Sequence, residues 1–259
     1  MASKEWDSID EVQYGFEDYY CAFLDILGYK EKMNLFFQNK FNLYGRVQRA
    51  MHRAGVEPTP QDTPDGIISR IFSDSIILTA KKTDVHIGIV LNYIGQLVFW
   101  FGLEGLFLRG GLSYGKLLED FGDKEGFSFL ASEGLAKAYQ MENQAIFPMI
   151  VLDENILHDI QDKKYIVKNG NKYMFNYVRY VISDHATNED MVIKELQEII
   201  EKKNHLADTH IREKYEWIIN YYLWFIYDSH KKYGNFDLLK FKTFNNEINE
   251  KYVFAEYNN

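Results

Sequence analysis

The sequence predicts an α+β fold, a mixed sheet with helices packed on one side of it. Apolar runs with strand spacing alternate with amphipathic stretches in the order strand, helix, hairpin, helix, strand, helix, strand. The run "IISRIFSDSIILTAK" is rich in β-branched residues and broken in its middle by polar ones, the mark of a hairpin. A hydrophobic content of 46% over 259 residues is enough for a well-buried core in one large domain or two small ones.

The first strand runs from Tyr19 to Asp25, where every residue before the aspartate is aromatic, small or aliphatic, as in a strand covered on both faces. From Gly28 to about Gly55, Met33, Phe36, Phe37, Phe41, Leu43, Val47 and Met51 recur at helical spacing. They predict one or two helices with a break between Asn39 and Gly45. "EPTPQDTPDG" holds three of the four prolines and is a loop that delivers the chain into the hairpin. Ile89, Val90, Tyr93, Leu97 and Trp100 place a helix over Val85 to Leu103. "LFLRGGLSYGKLLED" is the next strand, its paired glycines allowing a close backbone approach or a bulge. Helix "SEGLAKAYQMEN" and strand "FPMIVLDENI" follow. "KKYIVKNGNKYMFNYVRYV" reads as a hairpin turned at Asn169-Gly170, with two aromatic-rich arms. From Asp190 to Tyr233 two amphipathic stretches predict antiparallel helices, so residues 1–180 form the main domain and 181–259 a helical extension packed on it.

Charge and composition exclude several functions. Twenty-nine basic against 38 acidic residues give a net charge of −9, which argues against binding a nucleic-acid backbone. The lone Cys21 forms no internal disulfide and no thiolate zinc site, and a reducing cytoplasm is the expected setting. The acidic N-terminal segment lacks the apolar core of a secretory signal. The apolar stretch over residues 87–108 is interrupted by Asn92, Gln96 and Glu104, so no membrane span is expected. His205 and His210 stand five apart, off a common helix face, and are expected to be solvated. "YEWIINYYLWFIYD" reads as a core or dimer-facing stripe, and "GDKEG" as a polar turn.

Two aspartates sit where strand physics would not put them. Asp25 lies where an apolar strand ends, and Asp74 lies at the tip of the hairpin in "IFSDSII". Singly, each suits a helix cap or a turn. On neighbouring strands, the two carboxylates would share a space and repel one another, and a divalent cation relieves that repulsion. With no His or Cys nearby, Mg²⁺ or Mn²⁺ suits them better than zinc, and those ions serve phosphoryl transfer.

These motifs carry a family resemblance. "FLDILGY" resembles the first metal motif of the class III nucleotide cyclases, "RIFSDSI" their second metal strand, and "RGGLSYGKL" their Arg-x-Gly-x-x-x-Gly motif at Arg109, Gly111 and Gly115. The order agrees over residues 18–155. The resemblance implies a ferredoxin-like palm, a homodimer with active sites at the interface, and attack of a ribose 3′-hydroxyl on the α-phosphate. It implies Asp25 and Asp74, with the Ile26 carbonyl, as ligands of two Mn²⁺ or Mg²⁺ ions. Gly28 and the amide of Tyr29 would face the triphosphate, and Arg109 would bind substrate. Arg70 stands where purine cyclases carry a base-reading lysine or glutamate. Ala136 and Gln140 replace their asparagine and transition-state arginine.

The chain is most similar to the pyrimidine (cytidylate/uridylate) cyclases of bacterial antiphage Pycsar systems. That implies CTP or UTP as substrate, a cyclic nucleotide messenger in antiviral defence and a separate effector protein, with neither nucleic acid nor membrane as partner. Phe23 would stack on the base or fill the core, and Arg70 would contact base or phosphate or else form a surface salt bridge. A purine cyclase, or a palm that binds nucleotide without turnover, are the alternatives.

Overall fold

Strand β1 (Glu17–Ile26) runs through the middle of the sheet, where an apolar run covered on both faces belongs. Tyr20, Ala22, Leu24 and Ile26 alternate into the main core, so Cys21, Phe23 and Asp25 face the opposite way. The computed structural model describes residues 15–56, 66–120, 129–184, 189–234 and 236–257. The expected Pro-rich loop and the "GDKEG" turn fall on residues 57–65 and 121–128, outside the described residues.

Helices α1 (Tyr29–Phe37) and α2 (Leu43–Ala54) follow, broken where the spacing predicts, with Asn42 capping α2 by accepting from the Gly45 amide at 3.0 Å. Strands β2 (Ile67–Phe72) and β3 (Ser75–Lys81) form the expected hairpin around a two-residue turn, Ser73-Asp74. Helix α3 (His86–Leu103) recrosses the sheet, and β4 (Leu108–Asp120) pairs with β1 on the side away from β3. These strands stand in the order β2-β3-β1-β4, all neighbours antiparallel. Two helix crossovers with that strand order make the ferredoxin-like palm.

The palm core is built by α3 against the sheet. Val90, Ile94, Leu97 and Phe101 form one stripe at helical spacing, all fully buried, each worth roughly 1.5–3 kcal/mol relative to exposure. Among the described residues α3 alone is long and apolar enough to cross a membrane by length and composition. In this fold its stripe lies on the sheet, and a Cβ on Gly95 would stand 2.2 Å from the Tyr180 ring.

Beyond the palm, β5 (Phe129–Ser132) pairs with the end of β4 and leads into α4 (Glu133–Gln144), capped by Ser132 Oγ accepting from the Leu135 amide at 3.1 Å. Strand β6 (Ile150–Leu152) runs parallel to β4, and β7 (Ile166–Asn169) and β8 (Lys172–Phe175) form the second hairpin. Helices α5 (Tyr177–Asp184), α6 (Glu189–Asn204), α7 (Thr209–Tyr233) and α8 (Leu238–Phe241) precede β9 (Phe254–Glu256), which pairs with β7. The aromatic stripe of α7 is core: Trp217, Tyr221 and Phe225 are buried, with Phe147 stacked on Trp217 at 5.7 Å.

The structure corrects the sequence reading in three places. Helices do not keep to one side, because α4 lies on the far face: a Cβ on Gly111 would meet the Ala138 carbonyl at 2.4 Å. "NYVRYV" is not a strand arm, because β8 ends at Phe175 and helix α5 begins at Tyr177. The extension is not purely helical, since β9 rejoins the sheet beside β7.

One buried acid gives a pH-dependent prediction. Glu195 of α6 lies within the C-terminal helices, accepting from Tyr222 Oη at 3.1 Å, and burial pushes its carboxyl up to about 7. Its folded value lies above the unfolded one, so folding favours the protonated form. That stability is complete below the ordinary glutamate range and is lost as pH rises through about 7. Chemical denaturation of Glu195→Gln should show a gain over wild type on the order of 3 kcal/mol at pH 8, vanishing near pH 4.

Candidate active site

Asp25 is the penultimate residue of β1, and the strand's alternation, with Leu24 and Ile26 in the core, turns it to the far face. In register it stands between Ser75 of β3 and Arg109 of β4. Asp74 reaches the same place from the hairpin turn, whose Ser73 adopts a left-handed φ of 58°. The Ile26 amide donates to the Asp74 carbonyl at 3.1 Å, fastening the turn to the end of β1. The sequence reading that these strands bring the two aspartates together is met in this geometry.

Arg109 is the hub of the site. Its Nε donates to Asp25 Oδ2 at 3.2 Å, one terminal nitrogen reaches Glu142 Oε1 at 2.6 Å, and the other donates to the Ala145 carbonyl at 3.1 Å. The guanidinium therefore holds Asp25 and ties the end of α4 to the sheet edge. Glu142 was not foreseen, because in "QMENQ" it reads as one more polar helix residue.

Two carboxylates, those of Asp25 and Glu142, pair with this single guanidinium, and Asp74 acts electrostatically on both. Burial raises Asp25 to about 6; Arg109 opposes the rise, while Glu142 and Asp74 add to it. Burial also raises Glu142, again against Arg109 and with Asp74. Such excess negative charge favours a cation. Among the described residues no three His, Cys, Asp or Glu side chains converge closely enough to enclose a metal. Two carboxylates nevertheless fit Mg²⁺ or Mn²⁺, which are commonly bound by one or two carboxylates together with substrate phosphates. Asp25 and Asp74 are the pair that would hold it.

Beside them the chain turns into α1. Gly28 takes the cap position with φ of 70°, a conformation that favours glycine, and no side chain caps the helix. The first amides of α1, beginning at Tyr29, lack intrahelical acceptors and suit an anion. Phe23 and Arg70 lie in one cross-strand row, Phe23↔Ile77↔Arg70, on the far face, their Cα atoms about 10 Å apart by strand spacing. The Phe23 ring meets Tyr139 of α4 edge-on at 5.2 Å, so it packs as well as borders the site. Arg70 is half-buried, and burial lowers its pKa. Ala136 and Gln140 stand exposed on α4. Cys21 is fully buried with its thiol pushed up to about 11, an inert group, and His205 and His210 are exposed.

An apolar cavity of about 730 Å³ lies between α1, α2 and the helix side of β2, reaching Tyr29 and Ser73. It is lined mainly by Met33, Phe36, Val47 and Met51, on the side of the sheet opposite Asp25.

The fold and site thus define an α+β palm carrying a paired-carboxylate site at the end of its central strand. No family model matches the chain, and no curated protein is similar to it in sequence. Solved structures similar in fold include the guanylate cyclase domain of RhGC from Catenaria anguillulae in complex with GTP, at 14% identity, TM-score 0.42, covering 61% of this chain and 93% of that one. A dimeric guanylyl cyclase domain of the RhoGC fusion protein from Blastocladiella emersonii overlaps at 16% identity and TM-score 0.45, covering 62% and 96%. A bacterial light-regulated adenylyl cyclase does so at 13% identity and TM-score 0.47, covering 64% of this chain and 54% of its own.

Proposed function

We propose that the protein is a metal-dependent nucleotide cyclase that converts a nucleoside triphosphate to its 3′,5′-cyclic monophosphate and pyrophosphate. The observation that carries this reading is the convergence of Asp25 and Asp74 beside the uncapped start of α1. Divalent cations, when bound, would neutralise charge on the triphosphate and lower the pKa of the 3′-hydroxyl. Asp25 and Asp74 would hold them, Arg109, itself paired with Glu142, keeps Asp25 in place, and Gly28 with the Tyr29 amide would receive the phosphates. The 3′-hydroxyl gives up its proton to solvent as its oxygen attacks the α-phosphorus, the bond from that phosphorus to the α–β bridging oxygen breaks, and pyrophosphate leaves with that oxygen.

For the base we propose a pyrimidine, with Arg70 as its reader. A guanidinium offers donors only, so it suits a base edge with two neighbouring acceptors, such as O2 and N3 of cytosine. Guanine offers O6 and N7 in the same way, which makes GTP the second reading. The guanylyl and adenylyl cyclases of similar fold accompany that purine reading without choosing a base for this chain. We further propose a cytoplasmic homodimer whose product acts on a separate effector protein in antiviral defence.

Incubation with CTP, UTP, GTP or ATP and Mn²⁺, read by mass spectrometry of the cyclic product, tests both levels. Cyclic CMP or cyclic UMP as the main product supports the pyrimidine proposal, and cyclic CMP also supports the Arg70 reading of O2 and N3. Cyclic GMP moves the base assignment to the purine reading. Nucleotide binding with no cyclic product from any of the four, in keeping with the absence of an arginine at Gln140, leaves a palm that binds nucleotide without turnover.

A further inference from the structure

The loop between β1 and α1 is gripped from two directions by lysine-bearing helices. On one side, Lys32 of α1 folds back over its own helix start. Its Nζ donates to the Leu27 carbonyl at 2.8 Å and would lie 3.1 Å from a Cβ on Gly28. On the other side, the Leu27 amide donates to the Phe107 carbonyl at 2.9 Å, and the Phe107 ring receives Tyr215 of α7 edge-on at 5.1 Å. The beginning of α7 is thereby set against the mouth of the site, and the residue before Tyr215 is Lys214.

Lys214 is half-buried, yet it makes no hydrogen bond or ion pair among the described residues, whereas Lys203, Lys232, Lys240 and Lys251 each pair with a carboxylate. Burial lowers the pKa of Lys214, with Arg109 lowering it further and Asp208 and Asp25 opposing. Burial lowers Lys32 as well, and the charge of Lys214 adds to that effect against Glu31. Two ammonium groups that repel one another, both partly desolvated, are unfavourable until an anion joins them. An isolated anion would meet repulsion from Asp25, Asp74 and Glu142 nearby. A metal–polyphosphate complex satisfies both halves, with its cation toward the acids and its phosphates toward the lysines and the α1 amides.

We propose that the C-terminal helix α7 is part of the active site, with Lys214 and Lys32 forming a cationic clamp for the polyphosphate of the bound nucleotide. This inference rests on the cyclase reading for the identity of the ligand, but its test does not require turnover. The probe is inorganic tripolyphosphate with Mg²⁺, titrated calorimetrically into the full chain, which removes base and sugar from the measurement. A hydrogen-bonded charge pair is worth about 1.5–3 kcal/mol, so Lys214→Met and Lys32→Met should each weaken binding about tenfold or more. Lys214→Arg should stay within about threefold of wild type, because it keeps the charge. Lys240→Ala, remote from the site, should bind like wild type. The salt dependence of binding should become shallower in Lys214→Met.

Lys214→Met binding within about twofold of wild type with unchanged circular dichroism would overturn the inference, as would absence of tripolyphosphate binding by the wild-type chain. If no nucleotide is cyclised while tripolyphosphate binding still depends on Lys214, the clamp stands and the cyclase reading falls. If wild type and Lys214→Met cyclise nucleotide equally well, the clamp falls and the cyclase reading stands.

Discussion

Asp25→Asn and Asp74→Asn are each expected to reduce cyclic nucleotide formation at least about a hundredfold, measured with saturating Mn²⁺, while the protein stays folded. An amide keeps the shape of the carboxylate and removes the charge that would hold the cation. Stability should respond in a telling direction for Asp25. Its carboxyl is held up to about 6, so ionisation costs the folded state stability as pH rises through that value. Asp25→Asn at pH 8 should therefore melt no lower than wild type, a pairing of lost activity with preserved stability that marks a functional acid. Asp25→Ala is the poorer variant, because it removes the Arg109 partner along with the ligand.

Gly111→Ala should give the largest loss of stability. Its Cβ would stand 2.4 Å from the Ala138 carbonyl and 2.7 Å from Met141 Cβ, both on α4, and the backbone oxygen has no rotamer by which to yield. A cost of about 3 kcal/mol is in the range for overpacking and would lower Tm by roughly 6–12 °C in a chain of this size. The same displacement would pull Glu142 and Ala145 from Arg109, so activity should fall with stability. Thermal melting followed by circular dichroism, with product formation assayed well below the melting range, checks both.

What could be read from sequence, and what could not, follows from how local each signal is. Asp25 and Asp74 stand out because a strand's period leaves a charged residue conspicuous at its end or turn, and their juxtaposition follows once the hairpin is placed beside β1. Helices α1, α2, α3, α6 and α7 show in the spacing of their apolar residues. Glu142 and Lys214 do not stand out, since a charged residue on an amphipathic helix is the ordinary case, and only tertiary packing turns them toward Arg109 and Lys32. The paired Gly110 and Gly111 do signal close approach, but sequence alone does not say that α4 is what approaches Gly111, or from which face. Strands β5 and β9 are too short to leave a pattern, being held by their partners β4 and β7. The aromatic run that opens α5 imitates a strand because β-branched and aromatic residues serve both environments when buried.

Asp25 and Asp74 are expected to support a cation-dependent attack of the ribose 3′-hydroxyl on the α-phosphate. Phosphorus NMR of the wild-type protein incubated with CTP and Mg²⁺, alongside 3′-deoxy-CTP and a chelated control, tests it most directly. Pyrophosphate and a single cyclic phosphodiester resonance should appear together from CTP, and neither should appear with the 3′-deoxy substrate or after chelation. Pyrophosphate release from the 3′-deoxy nucleotide, or cyclic product formed undiminished in the presence of chelator, would contradict it.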